Sequence, residues 1–312
     1  MTPHISPITG HQLLRTSLSD AIAQLGREHV PSAALAAELL LMHTLGRDRT
    51  WIYAHPEHEL DPAARERYLS LIARRASGVP TQHLTGHQEF WGLDFEVTPN
   101  VLIPRPETEH LIEVALERLG VAANDSSPRR HEIFRIADVG TGSGCIAIAL
   151  ANELPAAQIV ATDTSASALE VARRNAARHG VDSRIDFAEC NLADDLVHGS
   201  RTMGHETRFL HLIASNPPYI GLREAATLPR EVREHEPAAA LFGGETGTEI
   251  YAPLITQAAK LLKPGGILVL ELGHDSAEHV SRLLAAPEWT RVAITNDLAG
   301  IPRVASAQRD SP

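Results

Sequence analysis

The second half of the chain alternates short apolar runs with segments of helical periodicity. The runs are rich in β-branched residues and are bounded by Gly, Asp, Asn or Pro, which predicts buried strands. The predicted strands are residues 133–138, 158–162, 184–189, 209–215 and 266–272, with β-prone pieces at 291–294 and 303–306. The predicted helices are residues 107–119, 145–154, 165–179, 247–262 and 277–284. This alternation predicts an α/β fold with a parallel sheet.

The first part of the chain shows helical periodicity without intervening strands. Ser32 and Asp61 each precede such a segment and are placed as N-caps. Leu35, Leu39 and Met42 fall on one face of one predicted helix, and Tyr68, Leu71, Ile72 and Arg75 follow at helical spacing in another. We therefore predict a small helical bundle over residues 1–78.

Aromatic and apolar residues alternate with polar ones between the bundle and the α/β region. Phe90, Trp91, Phe95 and Val97 surround Gly92 in this way, which predicts a β-hairpin. The predicted organisation is a helical bundle (1–78), a hairpin linker (79–101) and an α/β domain (102–312).

The strand at 209–215 ends abruptly at Asn216-Pro217-Pro218-Tyr219. Two successive prolines fix φ twice and supply no N–H, so nearby carbonyls remain free to accept from a ligand. The Asn216 amide offers an acceptor and donors, and Tyr219 offers a flat aromatic face. The loop can thus grip a planar group that carries an NH2, such as an adenine, a cytosine or a carboxamide. The alternative is a strand that simply ends in a Pro-rich turn.

A glycine-rich turn joins the first predicted strand to its helix after Asp138. Its residues are Gly140, Thr141, Gly142, Ser143 and Gly144. Glycines at alternate positions let the backbone approach a ligand closely. The turn lacks the G-x-G-x-x-G spacing of dinucleotide sites and the lysine of a P-loop. A nucleoside without phosphates is therefore the better candidate.

Polar residues also follow the second and third predicted strands. Asp163 lies about 20 residues beyond Gly144, where such folds place the carboxylate that binds both ribose hydroxyls. Asn191 could reach the edge of an adenine and Leu192 could cover its face. The alternative for Asp163 is a helix cap before Ser165, which is compatible with ribose binding.

Composition narrows the classes of function. The net charge of −11 disfavours a protein that holds duplex DNA through many phosphate contacts. Two cysteines, Cys145 and Cys190, are too few for a disulfide framework and suit a reducing cytoplasm. The 17 histidines include pairs such as His55/His58 and His83/His87, but these lack the surrounding carboxylate or cysteine set that would close a site, so no metal site is predicted. No window reaches the ~18 apolar residues of a membrane span, and the polar N-terminus predicts no export signal.

The turn at 138–144, Asp163 and the Asn216–Tyr219 loop together resemble a class I S-adenosylmethionine-dependent methyltransferase that acts on a planar nitrogen. Other segments are similar, more narrowly, to the protein-(glutamine-N5) methyltransferase family that modifies peptide chain release factors, also called PrmC or HemK. These segments are Gln82-His83-Leu84-Thr85-Gly86, Glu89-Phe90-Trp91-Gly92, residues 102–109, Glu236-Pro237, Gly243-Gly244 and residues 299–304. The similarity covers about residues 10 to 307.

The resemblance implies a helical partner-recognition domain, a β-hairpin and a seven-stranded Rossmann-like methyltransferase domain. It implies methyl transfer from S-adenosylmethionine to the glutamine of the Gly-Gly-Gln loop of class 1 release factors, in the cytoplasm. Residues 140–144 would cradle the methionine part, Asp163 the ribose and Leu192 the adenine. Asn216 to Tyr219 would hold the glutamine, with Asn216 also near the cofactor.

This sequence departs from the family at a few positions. Asn191 stands where the family commonly has Asp, and Leu192 stands where an aromatic residue can occur. The polar stretch at 198–208 is longer than expected and is interpreted as a surface insertion.

Two other functions are compatible with parts of the pattern. An adenine-N6 methyltransferase of nucleic acids would use the same Asn-Pro-Pro-Tyr grip on a flipped base. The acidic balance, the lack of a basic target-recognition segment and residues 103–109 favour the protein substrate. The other alternative is a scaffold that binds the cofactor without catalysis. The intact Asn216–Tyr219 loop argues against it.

Overall fold

The computed structural model describes residues 12–121, 128–198 and 210–310. The chain divides into two compact units. One comprises Met1–Gly86 with Arg230–His235, and the other comprises His87–Pro229 with Glu236–Pro312. The polar stretch interpreted as an insertion lies outside the described residues, except for its first residue, His198.

The helices and strands are numbered here in chain order. The α-helices are α1 (Leu14–Arg27), α2 (Ala33–Leu45), α3 (Arg49–Ala54), α4 (Pro62–Ala76), α5 (Thr81–Thr85), α6 (Pro106–Leu119), α7 (Cys145–Glu153), α8 (Ala166–Arg178), α9 (Asp194–His198), α10 (Arg230–His235), α11 (Ala238–Leu241), α12 (Tyr251–Leu261) and α13 (Ala277–Leu283). The strands are β1 (Gln12–Leu13), β2 (Glu59–Leu60), β3 (His87–Phe90), β4 (Leu93–Glu96), β5 (Arg135–Val139), β6 (Gln158–Asp163), β7 (Ile185–Glu189), β8 (Leu210–Ser215), β9 (Ile220–Gly221), β10 (Phe242–Gly244), β11 (Leu262–Glu271), β12 (Trp289–Asn296) and β13 (Pro302–Arg309).

The first unit is the predicted helical bundle, with a two-residue antiparallel pairing of β1 and β2 added. Its core is formed by apolar residues of α1, α2 and α4, among them Leu25, Leu40, Tyr68 and Ile72. Helix α4 begins as predicted, because the Asp61 side chain accepts a hydrogen bond from the Ala64 N–H at 2.8 Å.

The face of α2 that Leu35, Leu39 and Met42 share is only partly buried, although Met42 packs against the core. Leu35 is 49% exposed, and the buried face is instead formed by Ala36, Ala37, Leu40 and Leu41. Apolar residues occur on all sides of α2, so its periodicity does not define one face, and the packing partners select it. Ser32 does occupy the N-cap position, but it has φ 50° and its side chain makes no capping hydrogen bond.

The second unit is built on a seven-stranded sheet in the order β12-β13-β11-β8-β5-β6-β7. The strands are parallel except β13, which is antiparallel to both of its neighbours. Helices α6, α7 and α8 contribute to a core on one face, and α12 and α13 contribute to a core on the other. Because both faces are covered, the central strands β5, β6 and β8 are buried along most of their length. The predicted α/β fold is confirmed.

The hairpin β3–β4 packs within this second unit. Phe90 and Phe95 are buried in its core. The Asn175 side chain on α8 accepts from the Glu96 N–H at 2.8 Å and donates to the Glu96 carbonyl at 3.0 Å. Glu96 also pairs with Arg174 at 2.7 Å. These bonds fix the backbone end of the hairpin against α8.

Some element boundaries differ from those predicted. Helix α12 begins at Tyr251, not at Gly247, because Gly247 has φ 84° and an added Cβ would lie 2.3 Å from the Tyr219 carbonyl oxygen. Strand β11 begins at Leu262, four residues before the predicted start, since Leu262 pairs with Leu210 of β8. The segment before α12 is therefore an irregular chain that packs on the loop after β8.

Candidate active site

A cavity of about 420 Å³ opens at the carboxyl ends of β5, β6 and β8. Strand β5 has β6 on one side and β8 on the other, so the cavity lies where the strand order reverses. Open α/β sheets bind ligands at this position, and the volume is that of a small-molecule site. The fold alone therefore places a ligand site here.

Most of the predicted site residues line this cavity. Those that do are Gly140, Gly142, Asp163, Asn191, Leu192, Asn216, Pro217 and Pro218. Four others do not line it: Thr141, Ser143, Gly144 and Tyr219. The Thr141 and Ser143 side chains are buried within the turn. Tyr219 is half-buried and packs against the core to which α12 and α13 contribute.

The glycine-rich turn exposes its backbone to the cavity at Gly140 and Gly142. Both have positive φ, 77° and 55°, and a Cβ added at either would meet no atom within 4 Å. Gly144 has a different role, since an added Cβ would lie 3.0 Å from Ile148 and 3.2 Å from Ala172. It therefore allows α7 to approach α8 closely.

A buried carboxylate holds the turn from beneath. Asp138 is fully buried, and its Oδ2 accepts from the Thr141 hydroxyl at 2.6 Å and the Ala147 N–H at 3.1 Å. Its Oδ1 has no hydrogen-bond partner among the described residues. Burial raises the pKa of Asp138 to about 7, although both hydrogen bonds act in the opposite direction. Asp138 thus organises the turn without reaching the cavity.

Asp163 connects the end of β6 to the turn. Its Oδ2 accepts from the Gly142 N–H and its Oδ1 from the Ser165 N–H, both at 2.9 Å. The cap of α8 is Ser165, whose hydroxyl accepts from the Ala168 N–H at 3.2 Å. The cap is thus provided by Ser165, and the half-buried Asp163 carboxylate remains at the cavity wall.

The chain after β7 turns sharply at Leu192, which has φ 51°. A non-glycine residue in this region costs roughly 1–3 kcal/mol and persists only where neighbours fix it. The Leu192 carbonyl accepts from the Thr162 hydroxyl at 2.6 Å and from the Cys190 thiol at 3.4 Å. The result is a leucine side chain on the cavity wall beside the exposed Asn191.

Asn216 is held by a chain of buried polar groups. Its Nδ2 donates to Thr108 Oγ1 at 3.0 Å, and Thr108 donates to Glu271 Oε2 at 2.7 Å. The Tyr219 hydroxyl donates to the other oxygen of Glu271 at 3.3 Å. Burial raises the pKa of Glu271 to about 7, against the lowering effects of Thr108 and Arg303.

Sequence analysis did not assign Thr108 or Glu271 to the site. Thr108 falls inside the segment 102–109 that carries the family resemblance. Glu271 is a carboxylate at the end of an otherwise apolar strand, a position that favours a functional or paired group. Each residue could thus be noticed in the sequence by itself. Their contact could not, because they lie 163 positions apart.

The rest of the cavity wall comes from residues to which sequence analysis assigned no site role. They are residues 100–102 and several residues between 237 and 250. Glu236 links the two segments. Its carboxylate accepts a hydrogen bond from the Ile103 N–H at 3.2 Å and forms an ion pair with Arg105 at 2.5 Å. The wall opposite the strands is therefore held by a nearly fully buried carboxylate.

Among the described residues there is no group of three or more His, Cys, Asp or Glu that could hold a metal ion. Within the parts of the chain that the structure describes, no helix has both the length and the apolar character needed to span a membrane.

The sheet order, the glycine-rich turn after its first strand and the ligand cavity at the switch point define a class I methyltransferase fold. The hMettl16 catalytic domain in complex with MAT2A 3'UTR hairpin 6 has the same fold, with a TM-score of 0.53 and 18% identity over 76% of this chain and 81% of that one. Residues 16–86 match the PrmC N-terminal domain, and residues 127–229 match the methyltransferase small domain.

Curated relatives match almost the whole chain. The release factor glutamine methyltransferase of Koribacter versatilis is 43% identical over 93% of this chain and 96% of its own length. That of Bradyrhizobium diazoefficiens is 40% identical over 100% of both. The chain belongs to the release factor glutamine methyltransferase family, which confirms the resemblance found in the sequence.

Proposed function

We propose that this protein transfers a methyl group from S-adenosylmethionine to the side-chain nitrogen N5 of the glutamine in the Gly-Gly-Gln motif of class 1 peptide chain release factors. Near-full-length relatives carry the name of this activity. The structural observation that carries the proposal is the Asn216 amide at the cavity wall, held by Thr108 and followed by two prolines. Translation termination would place the enzyme in the cytoplasm.

The cavity fits S-adenosylmethionine. Gly140 and Gly142 leave open space where side chains would stand, which suits the methionine part. We assign Asp163 to the ribose hydroxyls, and Leu192 and Asn191 to the adenine, because all three line the cavity. When bound, this cofactor supplies an electrophilic methyl group on a sulfonium. Thr141, Ser143 and Gly144 support the turn without lining the cavity.

The substrate nitrogen is a poor nucleophile, because its lone pair is delocalised into the amide carbonyl. Positioning at near-attack geometry must therefore supply most of the rate enhancement. Asn216 Oδ1 would accept one N–H of the glutamine amide, and a proline carbonyl would accept the other. Together they would stabilise the positive charge that develops on nitrogen. No general base has to act before attack.

The geometry distinguishes the two proline carbonyls. A Cβ added at Gly243 would lie 2.2 Å from the Pro218 oxygen, so the backbone of β10 covers that oxygen. We therefore assign the second acceptor to Pro217. The Tyr219 hydroxyl is occupied by Glu271, so we assign Tyr219 to fixing the loop.

The remaining assignments concern the protein partner. We propose that the N-terminal bundle, residues 1–78, recognises the release factor, with residues 79–101 as linker and 102–312 as the catalytic domain. The match of residues 16–86 to the PrmC N-terminal domain supports the first assignment.

The direct test is incubation with labelled S-adenosylmethionine and purified release factor, followed by mass analysis of the Gly-Gly-Gln peptide. One added methyl group on the glutamine is expected. A release factor with glutamate in place of that glutamine serves as control and should remain unlabelled. Label in the control, or no label in either protein, would contradict the proposal.

Duplex DNA is expected to be neither a substrate nor a tight ligand at physiological salt. A chain with a net charge of −11 is repelled by DNA phosphates unless a basic face of the protein compensates. A mobility-shift assay and a methylation assay on adenine-containing duplexes check this. Saturable binding with methyl transfer to adenine would favour the nucleic-acid alternative.

Replacement of Asp163 by alanine should weaken S-adenosylmethionine binding by about tenfold or more, because hydrogen bonds to a charged group contribute roughly 1.5–3 kcal/mol. The loss of the Gly142 contact would add to this effect. Calorimetry measures the affinity. Asp61→Ala is the matched control, since it removes a capping carboxylate that does not line the cavity and should cost only about 1 kcal/mol of stability. Equal affinities for both variants would show that Asp163 does not bind the ribose.

A further inference from the structure

The two polar residues behind Asn216, Thr108 and Glu271, are buried. Thr108 is 2% exposed on α6, and Glu271 is 1% exposed at the end of β11. Each Glu271 oxygen accepts one hydrogen bond: Oε2 from the Thr108 hydroxyl at 2.7 Å, and Oε1 from the Tyr219 hydroxyl at 3.3 Å. The Asn216 Nδ2 lies 3.0 Å from the Thr108 oxygen. Because the Thr108 and Glu271 side chains are buried, their polar atoms depend on hydrogen bonds within the protein.

The direction of these bonds follows from the charge on Glu271. An ionised carboxylate only accepts, so both hydroxyls must turn their protons toward it. The Thr108 oxygen then presents only lone pairs to Asn216, and only the NH2 group of that amide can fill the position. Asn216 Oδ1 makes no hydrogen bond with any described residue, and Asn216 lines the cavity. The carbonyl oxygen is thereby left for a ligand.

We propose that Thr108 and Glu271 are positioning residues for methyl transfer, which hold the Asn216 amide with its oxygen toward the substrate nitrogen. This inference rests on the proposed function and deepens it. The opposite orientation would set the Asn216 NH2 against the substrate NH2. Two donors would then face each other where positive charge develops, and the acceptor would be lost.

Because of this hydrogen-bond chain, the orientation of the Asn216 amide depends on the protonation of Glu271. Once protonated, Glu271 donates to the Thr108 oxygen, and Thr108 is then free to donate to the Asn216 oxygen. Both amide orientations become compatible with the network. Since burial raises the pKa of Glu271 to about 7, the rate should fall as the pH decreases through this region. The other titratable or charged groups that act on Glu271 are Arg303, Tyr219, Glu107, Tyr251 and Cys145.

The first test removes the hydroxyl of Thr108. In single turnover at saturating cofactor, Thr108→Val should lower the rate about tenfold, while cofactor affinity stays within about twofold. Thr108→Ser keeps a hydroxyl and should restore most of that rate. Thr256→Val, on the exposed face of α12, is the matched control and should react at the wild-type rate. A wild-type rate for Thr108→Val would overturn the proposal. A parallel loss of rate, affinity and melting temperature would also overturn it, by showing a merely structural role.

The second test is the pH profile of Glu271→Gln, whose side chain is neutral and nearly isosteric. At about pH 8.5 this variant should react about tenfold more slowly than the wild type, and at about pH 5.5 the two rates should converge. Asp138, whose pKa burial also raises to about 7, is present in both proteins, so its titration cancels in the ratio. A pH-independent ratio of the two rates would overturn the proposal.

A readout without substrate separates this inference from the proposed function. The ¹⁵N and ¹H shifts of the Asn216 side-chain NH2 should change with pH around the Glu271 titration in the wild type, and not in Glu271→Gln. Failure of the wild type to methylate release factors contradicts the proposed function alone. An Asn216 signal that titrates identically in both proteins contradicts the positioning role alone.

Discussion

Asn216→Ala is expected to lower kcat about 100-fold, the scale seen when one preorganised transition-state partner is removed. The amide oxygen is the only side-chain acceptor that we assign to the substrate nitrogen, and charge develops on that nitrogen only during transfer. Affinity for S-adenosylmethionine should stay within about twofold, because Asp163 and the glycine-rich turn hold the cofactor independently of Asn216. The contrast between rate and affinity is the expected result.

Single-turnover methylation, cofactor calorimetry and melting temperature would be measured on the same preparation. Asn152→Ala provides a matched control, because the Asn152 amide bonds the Ile148 carbonyl of its own helix, at 3.0 Å. It should leave all three quantities nearly unchanged. If Asn216→Ala turned over like the wild type, the assigned role of Asn216 would be refuted.

The sheet and the turn could be predicted because their signals are local. Strand β5 ends at Val139, directly before the glycine-rich turn, and the glycines of that turn need positive φ at fixed positions. Helix α4 begins at an Asp-Pro pair that caps it directly. In each case neighbours along the chain determine the conformation, so periodicity and turn chemistry suffice.

The parts of the site that were missed depend on contacts between distant residues. Thr108 and Glu271 are 163 positions apart, and Ile103 and Glu236 are 133 apart. No window of sequence shows that these pairs meet. The buried face of α2 was not predicted for a related reason, since a helix that is apolar on all sides acquires a buried face only from its packing partners. Local pattern predicted the strand ends, and the tertiary fold determined which buried carboxylate supports which loop.

The tightest backbone contact behind the site concerns Gly243. It lies in β10, which pairs with β9 directly after the Asn-Pro-Pro-Tyr loop. An added Cβ would stand 2.2 Å from the Pro218 carbonyl oxygen and 2.8 Å from the Gly247 carbonyl oxygen, whereas ordinary contacts begin at 3.4 Å. Neither backbone oxygen can rotate away as a flexible side chain would. Alanine at this position must therefore displace the loop that carries Asn216.

Gly243→Ala is accordingly expected to lower the rate of methyl transfer about 100-fold, because a displacement of about 1 Å at reacting groups has that effect. Overpacking should also cost about 1–3 kcal/mol of stability. Gly26→Ala is the control: its Cβ meets no atom within 4 Å and it lies in α1, so stability should hold or rise. Single-turnover rates and melting temperatures of both variants decide the matter. A folded Gly243→Ala enzyme with the wild-type rate would show that displacing the Pro218 carbonyl does not move Asn216 or the Pro217 carbonyl out of reacting geometry, and the coupling of Gly243 to methyl transfer would be refuted.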